Sequence, residues 1–139
     1  MSNKEIETIK TSDYLKNTFD ELVAISGRCY TELLPENFTK LKPYPKNWDK
    51  SIRDAERLTY ITVKAMYEIE DRPRTPYRTI LVSCYIKGMW NYDIQHLIGY
   101  SKSRYQIFKR QAIKEFTIRF NSNMTRCMDL PQIKLINWA

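Results

Sequence analysis

The stretch that decides the fold is NYDIQHLIGYSKSRYQIFKRQAIKEFTIRF, residues 91–120. Ile94, Leu97 and Ile98 recur at helical spacing in its first third. Gly99 follows them at the position where a left-handed residue closes a helix. The apolar run resumes a few residues later, so the stretch predicts two helices joined by a turn of about three residues.

Polar residues mark the starts of both helices, because Asn91 and Ser101 are of the type that accepts a backbone N–H at a helix start. The second helix has an apolar face of Tyr105, Phe108, Ala112, Ile113 and Phe116. Its opposite face holds Lys102, Ser103, Gln106, Lys109 and Arg110, with Arg104 at the flank. A short helix, a turn with glycine and a longer basic helix are typical of the helix-turn-helix of DNA-binding proteins.

The longer helix is the one that would enter the major groove of double-stranded DNA. The set expected to face the bases is Lys102, Ser103, Gln106 and Ile107. Glutamine can pair with adenine through two hydrogen bonds, and Ile107 can meet a thymine methyl group. The set expected to hold phosphates is Asn91, Tyr92, Ser101, Arg104, Lys109 and Arg110.

The distribution of charge favours the same segment. The chain carries a net charge of +7, and residues 72–120 hold ten Lys or Arg against two Asp or Glu. Residues 1–71 hold 11 against 13, and residues 121–139 hold two against one. The basic excess therefore lies in the part that contains the two helices, which indicates a polyanionic partner there.

Other classes of function find little support. Cys29, Cys84 and Cys127 are far apart and His96 is the only histidine, so neither a disulfide framework nor a metal site is predicted. The chain has no HExxH or phosphate-binding loop and only three glycines, so we expect no enzyme and no cofactor. Without a signal peptide or an apolar run of membrane-spanning length, we expect a cytoplasmic protein with no membrane contact.

The N-terminal half predicts two long helices around an irregular segment. Residues 1–10 are polar and expected to fray, and a helix is predicted over residues 12–34, with Gly27 as a weak point and Pro35 as its end. Residues 35–47, here named the proline strap, contain three prolines and no helical period. A helix capped by Asn47 is predicted over residues 48–69. Its apolar residues cover more than one face, which favours packing on two sides.

A third helix, over residues 76–87, is predicted to support the two-helix motif. Thr75 would cap it, Pro76 would open it, and Gly88 would end it. Trp90 is expected to cap the core. Residues 121–139 form a tail in which Ile133, Leu135 and Trp138 alternate and favour docking. The predicted fold is all-α, a helical bundle divided into residues 1–47, 48–120 and 121–139.

Residues 80–120 also match a family pattern. They resemble the C-terminal half of the ArpU and RinA group of phage-encoded transcriptional regulators. The matching positions are Ile80, Leu81, Tyr85, Trp90, Asp93, Ile94, Gly99, Tyr100, Ser101, Ser103, Tyr105, Lys109, Ala112, Ile113 and Phe116. Ile98 stands where the family has leucine, and Ile107 stands where such helices often have a polar residue.

The resemblance implies a helix-turn-helix similar to that of the fourth region of bacterial sigma factors, which reads a promoter element. It implies an activator of late or packaging genes in a phage or prophage, located in the cytoplasm of a bacterial host cell. Promoter DNA would be its first partner. Residues 1–70 would form a homodimer or contact RNA polymerase or another regulator of phage or host.

Two alternative functions remain open at this point. The small subunit of a phage packaging terminase also uses a helix-turn-helix, but it requires an oligomer that forms a ring. A protein-interaction module without DNA binding would instead bind its partner through the helix over residues 48–69 and the tail over residues 133–138.

Overall fold

The computed structural model describes residues 6–137, which contain six helices and one small sheet. Helix α1 consists of three consecutive segments: Thr11–Asp13, a π-helical turn over Tyr14–Thr18, and Phe19–Ser26. The other helices are α2, Pro35–Phe38; α3, Lys50–Tyr67; α4, Tyr77–Tyr85; α5, Asn91–Ile98; and α6, Lys102–Met124. Strands β1, Glu7–Lys10, and β2, Ile133–Ile136, pair in parallel. The mainly helical prediction is confirmed, but the chain is not all-α.

Helix α1 is shorter than predicted because Gly27 ends it instead of weakening it. Gly27 has a φ of 74°, the left-handed conformation that closes helices. The Ser26 hydroxyl donates to the Val23 carbonyl at 2.7 Å and accepts from the Arg28 N–H at 3.1 Å, which stabilises the turn. The chain continues as a 3-10 turn over Tyr30–Leu33, so the prediction of one helix to residue 34 is wrong.

The proline strap begins with a helical turn that the sequence did not predict. Pro35 is the first residue of α2, where its missing N–H costs nothing, so it starts a helix and does not end one. Phe38 at the end of α2 is buried between Tyr60 and Tyr67, with ring centroids 4.8 and 5.2 Å away. The rest of the strap is irregular, and its Leu41 packs on the same core.

Helix α3 is the central helix of the fold, as the apolar residues on several of its faces predicted. Its buried residues, Ala55, Leu58, Ile61, Val63, Ala65 and Met66, place it against α1, α4 and α6. The Tyr14 hydroxyl of α1 lies 2.6 Å from the Thr62 hydroxyl in this buried interface. The predicted cap is wrong, because Asp49 and not Asn47 accepts the Ser51 N–H, at 2.8 Å.

Helix α4 is held at its start by a distant carboxylate. Asp71 accepts from the Thr79 N–H at 3.1 Å and from the Thr79 hydroxyl at 2.9 Å, the role that was predicted for Thr75. The Thr75 hydroxyl is instead buried without a hydrogen-bond partner among the described residues. Pro76 occupies the cap position and not the first helical position, and the helix ends at Tyr85 with Ile86 as its C-cap, so the predicted end at Gly88 is wrong. Gly88, with a φ of 66°, lies in the loop that follows. Trp90 is 80% exposed, so the prediction that it caps the core is wrong.

Two apolar clusters hold the helices together. The larger joins α1, α3, α4, β2 and the second half of α6, where Phe116 and Phe120 are fully buried. The smaller consists of Ile80, Ile94 and Tyr105 and joins α4, α5 and the first half of α6. The predicted three-helix unit is thus confirmed, and α6 runs through both clusters.

The two strands join the ends of the described chain. Glu7 is aligned with Ile133 and Lys10 with Ile136. Ile133 and Leu135 are buried, and the Asn121 side chain of α6 both donates to and accepts from the Leu135 backbone at 2.9 Å. Residues 7–10 therefore form a strand that pairs with β2, so the prediction that they fray is wrong. Residues 1–5 and Trp138 lie outside the described part.

Candidate nucleic-acid interface

The turn between α5 and α6 follows its local sequence. Gly99 has a φ of 75°, and no atom lies within 4 Å of the place where a side chain would begin. Backbone conformation rather than lack of space therefore favours glycine there. The Ser101 hydroxyl accepts the Arg104 N–H at 3.2 Å, so its predicted capping role is confirmed.

Asn91 fixes the start of α5 on α6. It is the first helical residue and not the cap, because Trp90 occupies the cap position in an extended conformation. The Asn91 side-chain oxygen accepts from the Tyr105 hydroxyl at 2.7 Å and from the Lys109 ammonium at 3.0 Å. The predicted capping role is thus replaced by a connection between the two helices.

Tyr105 supplies the buried end of that connection. Its side chain is 3% exposed and belongs to the smaller cluster with Ile80 and Ile94. Burial raises the pKa of Tyr105 to about 12, and Cys84 nearby adds to the rise. The hydroxyl therefore keeps its proton at neutral pH and remains a donor to Asn91.

An open cleft of about 550 Å³ lies between α5 and α6. Of the ten predicted contact residues, six line it: Asn91, Tyr92, Lys102, Gln106, Lys109 and Arg110. Ser103 and Ile107 are exposed on α6 but do not line the cleft. Ser101 and Arg104 are exposed outside it at the helix start. The structure thus brings most of the predicted set onto one surface, which we call the α5–α6 cleft surface.

The charge on this surface is positive and is not cancelled locally. None of the basic side chains of α6 forms an ion pair within residues 6–137. The Lys109 ammonium is engaged by Asn91 and lies 5.8 Å from the centre of the Tyr85 ring. The Arg104 guanidinium lies 6.0 Å from the centre of the Phe108 ring. Lys102 and Arg110 are exposed beside them and can meet an anion directly.

Two polar residues of α5 and α6 were not predicted from the sequence. Gln95 of α5 lines the cleft together with Gln106 and adds a second amide side chain. Lys114 is exposed on α6 but does not line the cleft. The helical repeat alone could have identified Lys114, because it follows Arg110 by four residues and Ile107 by seven. Gln95 carried no such signal, since its position depends on how α5 crosses α6.

Comparison with known proteins assigns no family. No protein-family model matches the chain, and no curated protein or solved structure matches it either. None of the helices in residues 6–137 combines the length and the apolar character needed to cross a membrane. The same residues contain no group of three or more His, Cys, Asp or Glu side chains that could hold a metal ion.

Proposed function

We propose that this chain is a sequence-specific regulator of transcription that binds double-stranded DNA through the α5–α6 cleft surface. One observation carries the proposal: the first turns of α6 are exposed and cationic on one side while Tyr105, Ala112 and Phe116 anchor the other side in the core. A rigid basic helix of this kind fits the major groove.

Affinity would come from the cations. Lys102, Arg104 and Arg110 are exposed, and contact with phosphates would release counterions from the duplex. Lys109 has two ammonium hydrogens left after its bond to Asn91, so it can still approach a phosphate. These contacts position the protein on DNA but do not distinguish sequences.

Specificity would come from Ser103, Gln106 and Ile107, which are exposed in the first two turns of α6. Gln106 can donate to and accept from one adenine, and Ile107, 47% exposed, offers an apolar contact to a thymine methyl group. Tyr92, 68% exposed and part of the cleft lining, would flank the DNA backbone.

The resemblance to the ArpU and RinA group makes the proposal more specific. We infer a sigma region-4-like reading unit and a role as activator of late or packaging genes of a phage or prophage, in the cytoplasm of the bacterial host. Promoter DNA would be the target, with RNA polymerase or another regulator as a protein partner. The inference of a phage activator is supported by the family-like motif between residues 80 and 120.

The test is selection from a random duplex library at near-physiological salt. The full chain is expected to enrich fragments that share a consensus, and the double variant Lys102→Ala/Arg110→Ala is expected to enrich none. Enrichment without a consensus would leave only non-specific binding, and no enrichment would remove the proposal.

The two alternatives differ in what they require. The interaction module depended on apolar residues of α3 and the C-terminal tail, but Ile61, Met66, Ile133 and Leu135 lie in the chain's own core. The apolar surface left to that alternative among the described residues includes Trp48 and Tyr60, which are 45% and 40% exposed. A terminase-like subunit requires a ring, which light scattering coupled to size-exclusion chromatography would detect.

A further inference from the structure

A second cavity, of about 380 Å³, lies between α3, the proline strap and the C-terminal end of α6. Leu41, Lys42 and Pro43 line it from the strap, and Asn123 at the end of α6 lines it together with Arg126 and Cys127, which follow the helix. It shares no lining residue with the α5–α6 cleft surface. Its volume falls within the range of about 300–1,000 Å³ that is typical of small-molecule sites.

The inner wall of this cavity is largely apolar. Ile61 is buried, and Leu41 and Cys127 are half-buried at the edge of the main core. The Tyr60 ring, which also lines the cavity, is stacked on Phe38 with centroids 4.8 Å apart, and this contact holds the ring in position. Such a wall favours a ligand with an apolar ring or chain.

The charges around the cavity are unbalanced. Its only acidic lining residue, Glu56, is paired with Arg28 at 3.0 Å, with both side chains at most 10% exposed. Arg57 is paired with Asp129. Three cations remain, Lys42, Lys64 and Arg126, and none of them forms an ion pair among residues 6–137. An anionic group is therefore favoured next to the apolar wall.

We propose that this cavity binds a small amphipathic anion: an aromatic or aliphatic body that carries one carboxylate, sulfonate or phosphate. The body lies against Ile61, Tyr60 and Cys127, and the anion meets Lys64 and Arg126. The site does not depend on DNA binding, so it can be tested in the absence of a duplex.

A matched pair of fluorescent probes tests the ligand class. Anilinonaphthalene sulfonate has both features, and N-phenyl-1-naphthylamine is the same body without the sulfonate. The folded chain is expected to bind one equivalent of the sulfonate, and to bind the neutral probe about tenfold or more weakly. Equal affinity for both probes, or no saturable binding of the sulfonate, would overturn the proposal. A cooperative thermal transition measured first excludes binding to a loosened core.

A pair of double variants tests the location. Lys64→Gln/Arg126→Gln is expected to lower the affinity for the sulfonate about tenfold. Arg110→Gln/Lys114→Gln removes the same charge from the middle of α6, outside the cavity, and is expected to change the affinity less than about twofold. Equal losses in both variants would assign the binding to general basicity and overturn the site.

Cys127 supplies a readout inside the cavity. Iodoacetamide labelling followed by peptide mapping measures its reactivity, and Cys29, which is exposed and not part of the cavity, serves as the internal control. The bound sulfonate is expected to slow alkylation of Cys127 and leave Cys29 unchanged. Unaltered labelling of Cys127 at saturating probe would place the ligand elsewhere.

Discussion

The Tyr105 hydroxyl donates a 2.7 Å hydrogen bond to the side-chain oxygen of Asn91. This bond joins the first residue of α5 to the second turn of α6 and sets the relation between the two helices that form the α5–α6 cleft surface. A single buried donor thus contributes to the geometry on which the proposed DNA contact depends.

Tyr105→Phe is expected to lower the free energy of unfolding by about 0.5–1.5 kcal/mol, because it removes one hydrogen bond and leaves the packing of the ring unchanged. Urea denaturation measures the change. Tyr92→Phe is the control, since Tyr92 is exposed, and its effect should stay within about 0.5 kcal/mol. A Tyr105→Phe protein as stable as the parent would show that the bond contributes nothing to stability.

Gly99→Ala is expected to cost about 1–2 kcal/mol, since alanine must adopt a left-handed φ in a place where its methyl group meets no other atom. Gly99→Asn should recover part of the loss, because asparagine tolerates this conformation better than alanine does. Chemical denaturation of both variants checks the order. Identical stabilities would mean that the turn relaxes to another conformation.

Glu56→Gln is expected to destabilise the fold by about 1–3 kcal/mol, because it removes the charge that pairs with the largely buried Arg28. Glu32 and the Lys42 carbonyl remain as partners of Arg28, which limits the loss. Asp54→Asn is the matched control, because its partner Lys50 is exposed, and it should cost less than about 1 kcal/mol. Thermal unfolding of the two variants gives the comparison, and equal losses would contradict it.

High pH is expected to weaken the fold through its buried tyrosines. Burial raises the pKa of Tyr67 and Tyr105 to about 12 from 10.0. The unfolded chain therefore loses these protons first, so their contribution is complete below pH 10 and is lost as the pH rises from 10 to 12. Urea unfolding across this range measures the decline, and Tyr105→Phe should make it shallower. A decline unchanged in that variant would exclude Tyr105 as a contributor.

If a consensus site is found, Gln106→Ala is expected to reduce discrimination at one base position by about 1–3 kcal/mol. Arg110→Ala should weaken binding to all sequences alike and reduce the salt dependence by about one phosphate contact. Quantitative gel shifts on matched and mismatched duplexes separate the two effects. Equal losses on every duplex for both variants would remove the base-reading role of Gln106.

Local signals explain what the sequence could predict. Gly99 and Ser101 act through their own backbone and the next turn, so residue type and spacing were enough to place the turn between α5 and α6. The apolar period likewise identified Tyr105, Ala112 and Phe116 as the anchored side of α6. Nine of the ten predicted contact residues were found exposed for the same reason, and Lys109 is half-buried.

Contacts between distant segments explain what it could not predict. The Asp71 carboxylate, and not Thr75, accepts the Thr79 N–H at the start of α4, a contact between residues eight apart that no capping rule predicts. Asn91 looked like a helix cap, and only the crossing of α5 over α6 brings it to Tyr105. The pairing of β1 with β2 depends on the helices bringing both segments together, since a single isoleucine, Ile9, among polar neighbours carries no strand signal of its own.

The alignment of Glu7 with Ile133 has a consequence for synthesis on the ribosome. Strand β1 precedes the helices but cannot pair until β2, which follows α6, has left the exit tunnel. The three-helix unit of α4, α5 and the first half of α6 relies on contacts between neighbours in sequence, so it can form before that moment. The pairing of β1 with β2 is therefore expected to be a late step of folding, after these helices have assembled.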